Sequence, residues 1–456
     1  MPTYRLRTPI PNTTASELYA WHARPGAFER LNPPWDPIRV MSRTGSGVET
    51  GVELELQAHV GPIPLTWRAV HTEHEPGRRF VDEQRSGPFA YWRHQHLFTE
   101  ADPGEALLED CIEWRAPFGA LGAAIGGVQS RLDRVFPFRH RRTADDLARH
   151  ARYRDRPRLR VLISGASGLI GSQLTAFLDA GGHEVVPLVR SSNARGRHIP
   201  LDDPEAIDRE WLEGFDAVVH LQGAPIADES WTDARKQVIR HSRVHPTAVL
   251  ARVMGELKRP PKVFLSASAV GLYGDTGDTE VDEAGPTGDT FLASVGAEWE
   301  AATSPARDAG IRTVLLRTGF VLSGLGGYLK AQLPLFQFGL GGPVGGGQQW
   351  VPWIHLDDHL GLMHEALFDD RYEGPLNLVA PRTVRQFDFA RAMGRVLGRP
   401  AFAPAPGFAI KLALGRQRGL ELVLQGQRVV PAKAQALGYR FLHPELDNAL
   451  RFELGR

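Results

Sequence analysis

Arg158-Leu-Arg-Val-Leu-Ile-Ser-Gly-Ala-Ser-Gly-Leu-Ile-Gly171 runs from an apolar segment through a glycine-punctuated turn into helical spacing. The pattern predicts a short strand, a tight turn, and a helix from about Ser172 to Ala180. Gly165 suits the turn that follows the strand. Gly168, without a side chain, lets the backbone approach a pyrophosphate, and Gly171 lets helix and strand pack closely. A helix N-terminus at that point offers free N–H groups and a partial positive charge to phosphates. The spacing is G-x-x-G-x-x-G rather than G-x-G-x-x-G.

Outward from this turn the chain alternates strand and helix, the sign of a doubly wound α/β parallel sheet. Strands are expected at Leu159–Ser164, Glu184–Val189, Ala217–Leu221, Val263–Ser266 and Thr313–Leu316. On the N-terminal side the pattern differs. Tyr4–Ile10 alternates like a strand, and Thr14–Ala23 suits a helix capped at Thr13 or Thr14. Val48–Val60 and Leu65–His74 alternate around a Gly61–Pro64 turn, and Arg79–Gln84, Ala90–Phe98 and Ala106–Trp114 continue the strand series. Gly122–Phe136 returns to helical spacing. An antiparallel sheet gripped by a C-terminal helix explains this α+β order, and such sheets often enclose an apolar cavity. The charge-dense stretch Phe138 to Arg158 reads as an exposed helix end and a linker. Three domains are therefore expected: 1–155, 156–400, and a small helical piece at 401–456.

At 456 residues the chain exceeds one ordinary domain, and 42% hydrophobic with 23% charged residues is globular. Lys+Arg 53 balance Asp+Glu 53, so no global field favours nucleic acid or an anionic membrane. Asp145, Asp146 and Asp155 interrupt the basic stretch near the boundary, which argues against a nucleic-acid patch. The lone Cys111 forms no internal disulfide and reads as a buried thiol. The N-terminus has no apolar h-region, and no uncharged run reaches the ~18 residues of a membrane span. A soluble cytoplasmic protein is the expectation.

The strand His183–Arg190 tests which dinucleotide fits. An NAD-binding strand usually ends in Asp or Glu, which takes the ribose 2′-hydroxyl. This one ends in Arg190-Ser191-Ser192. A guanidinium pairs with a 2′-phosphate and the hydroxyls donate to it, which favours NADP(H) over NAD(H).

Several segments together resemble the epimerase-family, atypical short-chain dehydrogenase/reductases with a small C-terminal domain. They include Gly223-Ala-Pro-Ile226, Trp231–Gln237, Ser242-Arg-Val244, Ser266-Ala-Ser-Ala-Val270, Tyr273-Gly-Asp275, Leu315–Gly319, Gly339–Pro343, Trp353–Asp358, Gly426–Val429 and Pro431-Ala-Lys433. Residues 1–155 resemble the START-like lipid-transfer and polyketide-cyclase superfamily through Phe80–Gln84, Gly87-Pro-Phe89 and His94-Gln-His96. The resemblance implies a Rossmann-type fold preceded by a helix-grip domain. It places Gly165, Ser167, Gly168, Leu169 and Ile170 at the pyrophosphate turn, and Arg190 and Ser191 at the adenosine ribose. It sets Leu221, Gly223 and Ala224 beside the cofactor, and Arg317, Thr318 and Gly319 near the nicotinamide amide. Ser268 matches the serine that hydrogen-bonds the substrate oxygen.

One departure matters. The usual site needs a Tyr and, four residues on, a Lys that lowers its pKa. Here Thr290 and Ser294 occupy those positions. Tyr273 is the nearest phenol, open to a proton-donor role or a packing role. His355-Leu-Asp-Asp-His359 lacks the glutamate of H-E-x-x-H and reads as packing and capping. His94 and His96 lie two apart on a strand and share a face. No third ligand has an obvious place beside them, so no metal is assigned. The Gly339–Gly347 stretch lacks G-K-[ST] and reads as a flexible loop over the substrate cleft.

Three functions follow. The first is an NADP(H)-dependent oxidoreductase or epimerase acting on a small molecule, with Ser268 and Tyr273 at the reaction. The second is a cofactor-binding sensor or scaffold whose catalytic step is lost. The third is a carrier of an apolar ligand coupled to a reductase domain.

Overall fold

The computed structural model of the chain describes residues 1–60, 63–117, 127–189, 196–201 and 204–456. It divides into two compact units, Met1–Arg158 with Ala176–His183 and Gly455, and Leu159–Thr175 with Glu184–Leu454 and Arg456.

The first unit is one antiparallel sheet of β1 (Thr3–Pro11), β2 (Arg39–Arg43), β3 (Glu53–Val60), β4 (Ile63–Glu75), β5 (Arg79–Ser86), β6 (Tyr91–Asp102) and β7 (Glu105–Arg115). Their order, β1-β7-β6-β5-β4-β3-β2, is a meander closed by the return of β1 to β7. Helix α1 (Ala15–Ala23) starts where expected: Thr14 accepts from the Glu17 amide, and Glu17 reaches back to the Thr14 amide. That reciprocal cap satisfies two donors the helix leaves unpaired. Helix α2 (Pro25–Leu31) follows with Pro25 in its first turn.

The charge-dense stretch is not a solvated helix end. Helix α3 (Val128–Ala151) runs through it and buries Phe138, His140, Thr143 and Asp146. Its charges find partners inside: Arg30 donates Nε and Nη2 to the two Asp146 oxygens, each at 2.8 Å, with both side chains almost fully buried. Charge density in sequence therefore misread as exposure, because a buried charge is tolerated where it is paired and hydrogen-bonded.

The second unit is a parallel sheet of β8 (Arg160–Ser164), β9 (Glu184–Val189), β10 (Arg197–His198), β11 (Ala217–His220), β12 (Val263–Ala269), β13 (Arg312–Thr318) and β14 (Gly374–Leu378). The order β10-β9-β8-β11-β12-β13-β14 reverses direction of growth between β8 and β11. Val161, Leu162 and Ile163 are fully buried, as an apolar strand covered on both faces requires. Leu162, Leu250, Val253 and Phe264 join one core cluster over the sheet.

Residues 401–454 belong to this second unit. Arg428–Val429 pairs in parallel with Glu280–Val281, and Leu446, Ala449 and Leu450 pack with Phe389 and Met393. The 339–347 stretch is packed rather than a free loop. Val344 bridges Ala405, its amide donates to Gln386 Oε1 at 2.8 Å, and a Cβ on Gly342 would stand 2.1 Å from the Ala403 carbonyl oxygen. Gly342 serves close backbone approach, and Gly345, Gly346 and Gly347 hold positive φ, which composition alone read as flexibility. No helix among the described residues is long and apolar enough to cross a membrane.

Candidate functional site

Reversal of strand order opens a crevice at the carboxyl ends of β8 and β11, the place where open α/β sheets take ligands. The turn after β8 fills it with backbone. Gly165 holds φ at +72°, and a Cβ there would stand 2.9 Å from the Leu221 carbonyl carbon. A Cβ on Gly171 would lie 2.2 Å from the Gly165 carbonyl oxygen. Gly168 is different: its Cβ would meet only the Gly165 oxygen, at 3.3 Å, and the residue is exposed beside Ser167. Gly165 and Gly171 are thus required by the fold, whereas Gly168 is free for an outside group to approach. Leu169 and Ile170 begin helix α4 (Leu169–Ala180), whose first turn carries amides without intrahelical partners. This cradle fits the pyrophosphate of a dinucleotide.

The far wall is tied down. Leu221 continues the ladder to the Ser164 carbonyl at 3.1 Å, and Ala224 receives from the Arg243 guanidinium at 3.0 Å while its amide donates to Ser242 Oγ at 3.1 Å. Arg243 and Ser242 lie on α5 (Asp233–Gly255), and burial lowers the Arg243 guanidinium to about 10. A Cβ on Gly223 would touch this guanidinium at 3.1 Å. Below the crevice, Ser164 Oγ and His220 Nδ1 meet at 2.6 Å, and burial pushes the His220 imidazole down to about 4. Arg190 and Ser191 lie outside the described residues.

Ser268 and Arg317 are register partners at the ends of β12 and β13. They share a carboxylate that sequence reading did not single out. Ser268 donates Oγ–H to Glu300 Oε1 at 2.6 Å, and Arg317 donates Nε and Nη2 to the same carboxylate at 2.8 and 2.9 Å. Glu300 sits on α6 (Phe291–Ala301), the helix that also carries Ser294. Arg317 Nη1 donates to Tyr273 Oη at 2.8 Å, and Tyr273 donates in turn to Asn377 Oδ1 at 2.7 Å. Tyr273 is buried, and burial raises its phenol although Arg317 opposes the rise. Burial also works against the Arg317 charge, but the Glu300 pair outweighs it and holds the guanidinium above its ordinary value. Of the two phenol roles left open by sequence, this geometry favours packing and positioning.

The Arg317 side chain is thus held in a buried network with Glu300, Tyr273 and the Glu283 carbonyl. Gly319 serves close chain approach, since its Cβ would stand 2.2 Å from the Pro352 oxygen. Thr290 caps α6 by accepting from the Ala293 amide at 3.1 Å, and Ser294 donates to the Phe291 carbonyl at 2.8 Å. A cation does stand beside Ser294. Arg240, on α5, donates to Ser294 Oγ at 3.3 Å and pairs with Glu298. Its remoteness in sequence hid it from spacing arguments, and the same holds for Glu300 and Asn377.

His355 caps the helix Leu356–Phe368 through Asp357 N–H to Nδ1 at 3.1 Å, and burial lowers the His359 imidazole to about 3. Both histidines serve the core of this unit.

The first unit holds a second site, an apolar cavity of about 900 Å³ between the sheet and α3. Leu54, Leu56, Trp92, Leu132 and Phe136 supply apolar wall, and His22, His71, Asp82, His94 and His96 line its polar end.

Comparison with known proteins agrees with this division. The chain matches the polyketide cyclase/dehydrase and lipid transport family over residues 12–137, the NAD dependent epimerase/dehydratase family over 161–377, and a domain of unknown function over 405–453. The epimerase family protein Mb2239 of Mycobacterium bovis is 40% identical over 298 residues, covering 65% of this chain and 98% of that protein. Epimerase family protein SDR39U1 of Homo sapiens is 38% identical over 296 residues, covering 64% and 99%. A nucleoside-diphosphate sugar epimerase of Corynebacterium glutamicum gives a TM-score of 0.81 at 33% identity, over 99% of this chain and 90% of that chain. The structure of human SDR39U1 isoform 2 with NADPH gives 0.61 at 36% identity, over 65% and 99%.

Proposed function

We propose, from the premise that this chain belongs to the NAD dependent epimerase/dehydratase family, that its second unit binds NADP(H) and acts as an oxidoreductase or epimerase on a small molecule. The observation that carries the reading is the cradle after β8, where Gly165 and Gly171 are sterically obligatory and Gly168 alone is bare to an incoming group. The preference for the phosphorylated cofactor rests on Arg190 and Ser191, which follow Val189 in sequence, and human SDR39U1 with NADPH is consistent with it. Bound there, NADP(H) supplies or accepts a hydride. The chain's own part is to bind and orient. Ser268 commits its only proton to Glu300, so its lone pairs are left to accept from a substrate hydroxyl. Arg240 beside Ser294 places a positive charge where the family's usual lysine is absent. The first unit holds an apolar ligand in its cavity.

A second reading, a cofactor-binding sensor without turnover, is favoured by one set of observations. Thr290 and Ser294 replace the Tyr/Lys pair, and Tyr273 is committed to Arg317 and Asn377. Oxidation of NADPH measured across a panel of aldehydes, ketones and keto-sugars separates the two. Stereospecific NADPH oxidation with any of them supports the enzyme. Tight NADPH binding with no turnover across the panel sinks it and leaves the sensor.

A further inference from the structure

The polar end of the first unit's cavity has the geometry of a metal centre. Asp82 on β5 is the cross-strand partner of His94 on β6, and His96 lies two residues along on the same face. Asp82 Oδ2 stands 3.3 Å from His94 Nδ1 and 3.5 Å from His96 Nε2, and one ligating atom from each residue lies within 4.8 Å of the others. A tetrahedral ion with bonds of about 2.0–2.1 Å separates its donors by about 3.4 Å. Two of the spacings already match.

The outer ring supports the same reading. Asp110, opposite His96 on β7, brings Oδ1 to 2.8 Å from both His94 Nε2 and His96 Nδ1. Its other oxygen lies 2.7 Å from His140 Nε2, and His140 Nδ1 lies 2.7 Å from Thr8 Oγ1. A carboxylate hydrogen-bonded to His94 Nε2 fixes which nitrogen of that imidazole keeps its lone pair, whereas His96 Nδ1 lies close to the same oxygen without a hydrogen bond. When His94 gives its Nε2 proton to Asp110, its Nδ1 lone pair and the Asp82 oxygen face one another. Two acceptors so placed repel unless a proton or a metal cation stands between them, and the two carboxylates that favour a proton on His94 favour a divalent ion in its place. Arg139, also in the cavity wall, gives its Nε to the Leu31 carbonyl.

We infer that Asp82, His94 and His96 bind a divalent first-row transition ion. Two imidazoles and one carboxylate leave coordination positions vacant, and all three side chains line the cavity. The ion's free positions therefore face the apolar space, where an oxygen of the cavity's ligand completes the sphere. This assignment is independent of the dinucleotide reading.

The test is a titration of the full chain, stripped with a chelator, with Co(II) as the spectroscopic probe. One Co(II) per chain, with visible d–d absorption that Zn(II) displaces, is the expected result. Asp82→Asn and His94→Gln each weaken binding at least about 100-fold, while near-ultraviolet circular dichroism from the tryptophans of the first unit reports that this unit remains folded. His140→Gln, which leaves the inner three residues intact, weakens binding about 10-fold to 100-fold. If either inner variant fails to fold, this one carries the comparison. Absence of Co(II) binding by the stripped wild-type chain overturns the assignment. So does binding that persists unchanged in the variants, because the ion then sits elsewhere.

Discussion

Glu300 receives both Nε and Nη2 of Arg317, at 2.8 and 2.9 Å, with both side chains nearly excluded from solvent. Such a pair contributes little against a hydrophobic replacement, but removing one partner leaves an uncompensated buried charge. Glu300→Gln, which keeps the shape and loses the charge, is expected to destabilise the second unit by about 3–5 kcal/mol. Urea unfolding checks it, and a loss under about 1 kcal/mol would show the pair to be solvated.

Tyr273 hangs from the same guanidinium. Tyr273→Phe removes the bond to Asn377 and the acceptor for Arg317 Nη1, at a cost of about 1–3 kcal/mol in stability. Once a substrate is in hand, its maximal rate should fall little. A fall of roughly 100-fold or more, at unchanged stability, would restore the phenol as a proton donor.

The glycines of the cradle separate folding from binding. Gly171→Ala puts a methyl 2.2 Å from the Gly165 oxygen and should lower the thermal midpoint. Gly168→Ala meets a single atom, the Gly165 oxygen at 3.3 Å, a tight contact that a small backbone shift relieves; it should lose much less stability than Gly171→Ala yet bind NADPH roughly tenfold or more weakly. Equal affinity in that variant would place the pyrophosphate elsewhere.

Acid should destabilise the second unit through His220. Burial lowers its imidazole from the ordinary 6.5 to about 4, so the folded protein holds it neutral where the unfolded chain already binds a proton. Its contribution is fully present above pH 6.5 and is lost as pH falls toward 4, a total of about 3 kcal/mol. Thermal melts between pH 7.5 and 4.5 should fall less steeply for His220→Gln than for wild type. Parallel curves would contradict the assignment to this residue.

The parallel sheet was legible because its strands are apolar runs bounded by turn residues, and of the two caps offered for α1, Thr13 and Thr14, the second caps it. Short edge strands such as Arg197–His198 and Arg39–Arg43 carry too few residues for any period to register. At the site, local spacing made the glycine turn visible, while Ser268 was singled out by the family resemblance. What the fold assembles from distant segments was not. Glu300 meets Ser268 and Arg317 only through packing of α6, Arg240 reaches Ser294 from another helix, and Asp82 joins His94 only through strand register. The buried half of α3 was hidden for a related reason, since Asp146 is neutralised by Arg30, from another helix.

The measurement that bears most directly on the account is calorimetric titration of the full chain with NADPH and NADH side by side, repeated on Arg190→Ala. One NADPH per chain should bind, roughly tenfold or more tightly than NADH, and the difference should collapse in the variant as the 2′-phosphate loses its guanidinium. No binding of either cofactor, or equal binding of both with no effect of Arg190→Ala, would contradict it.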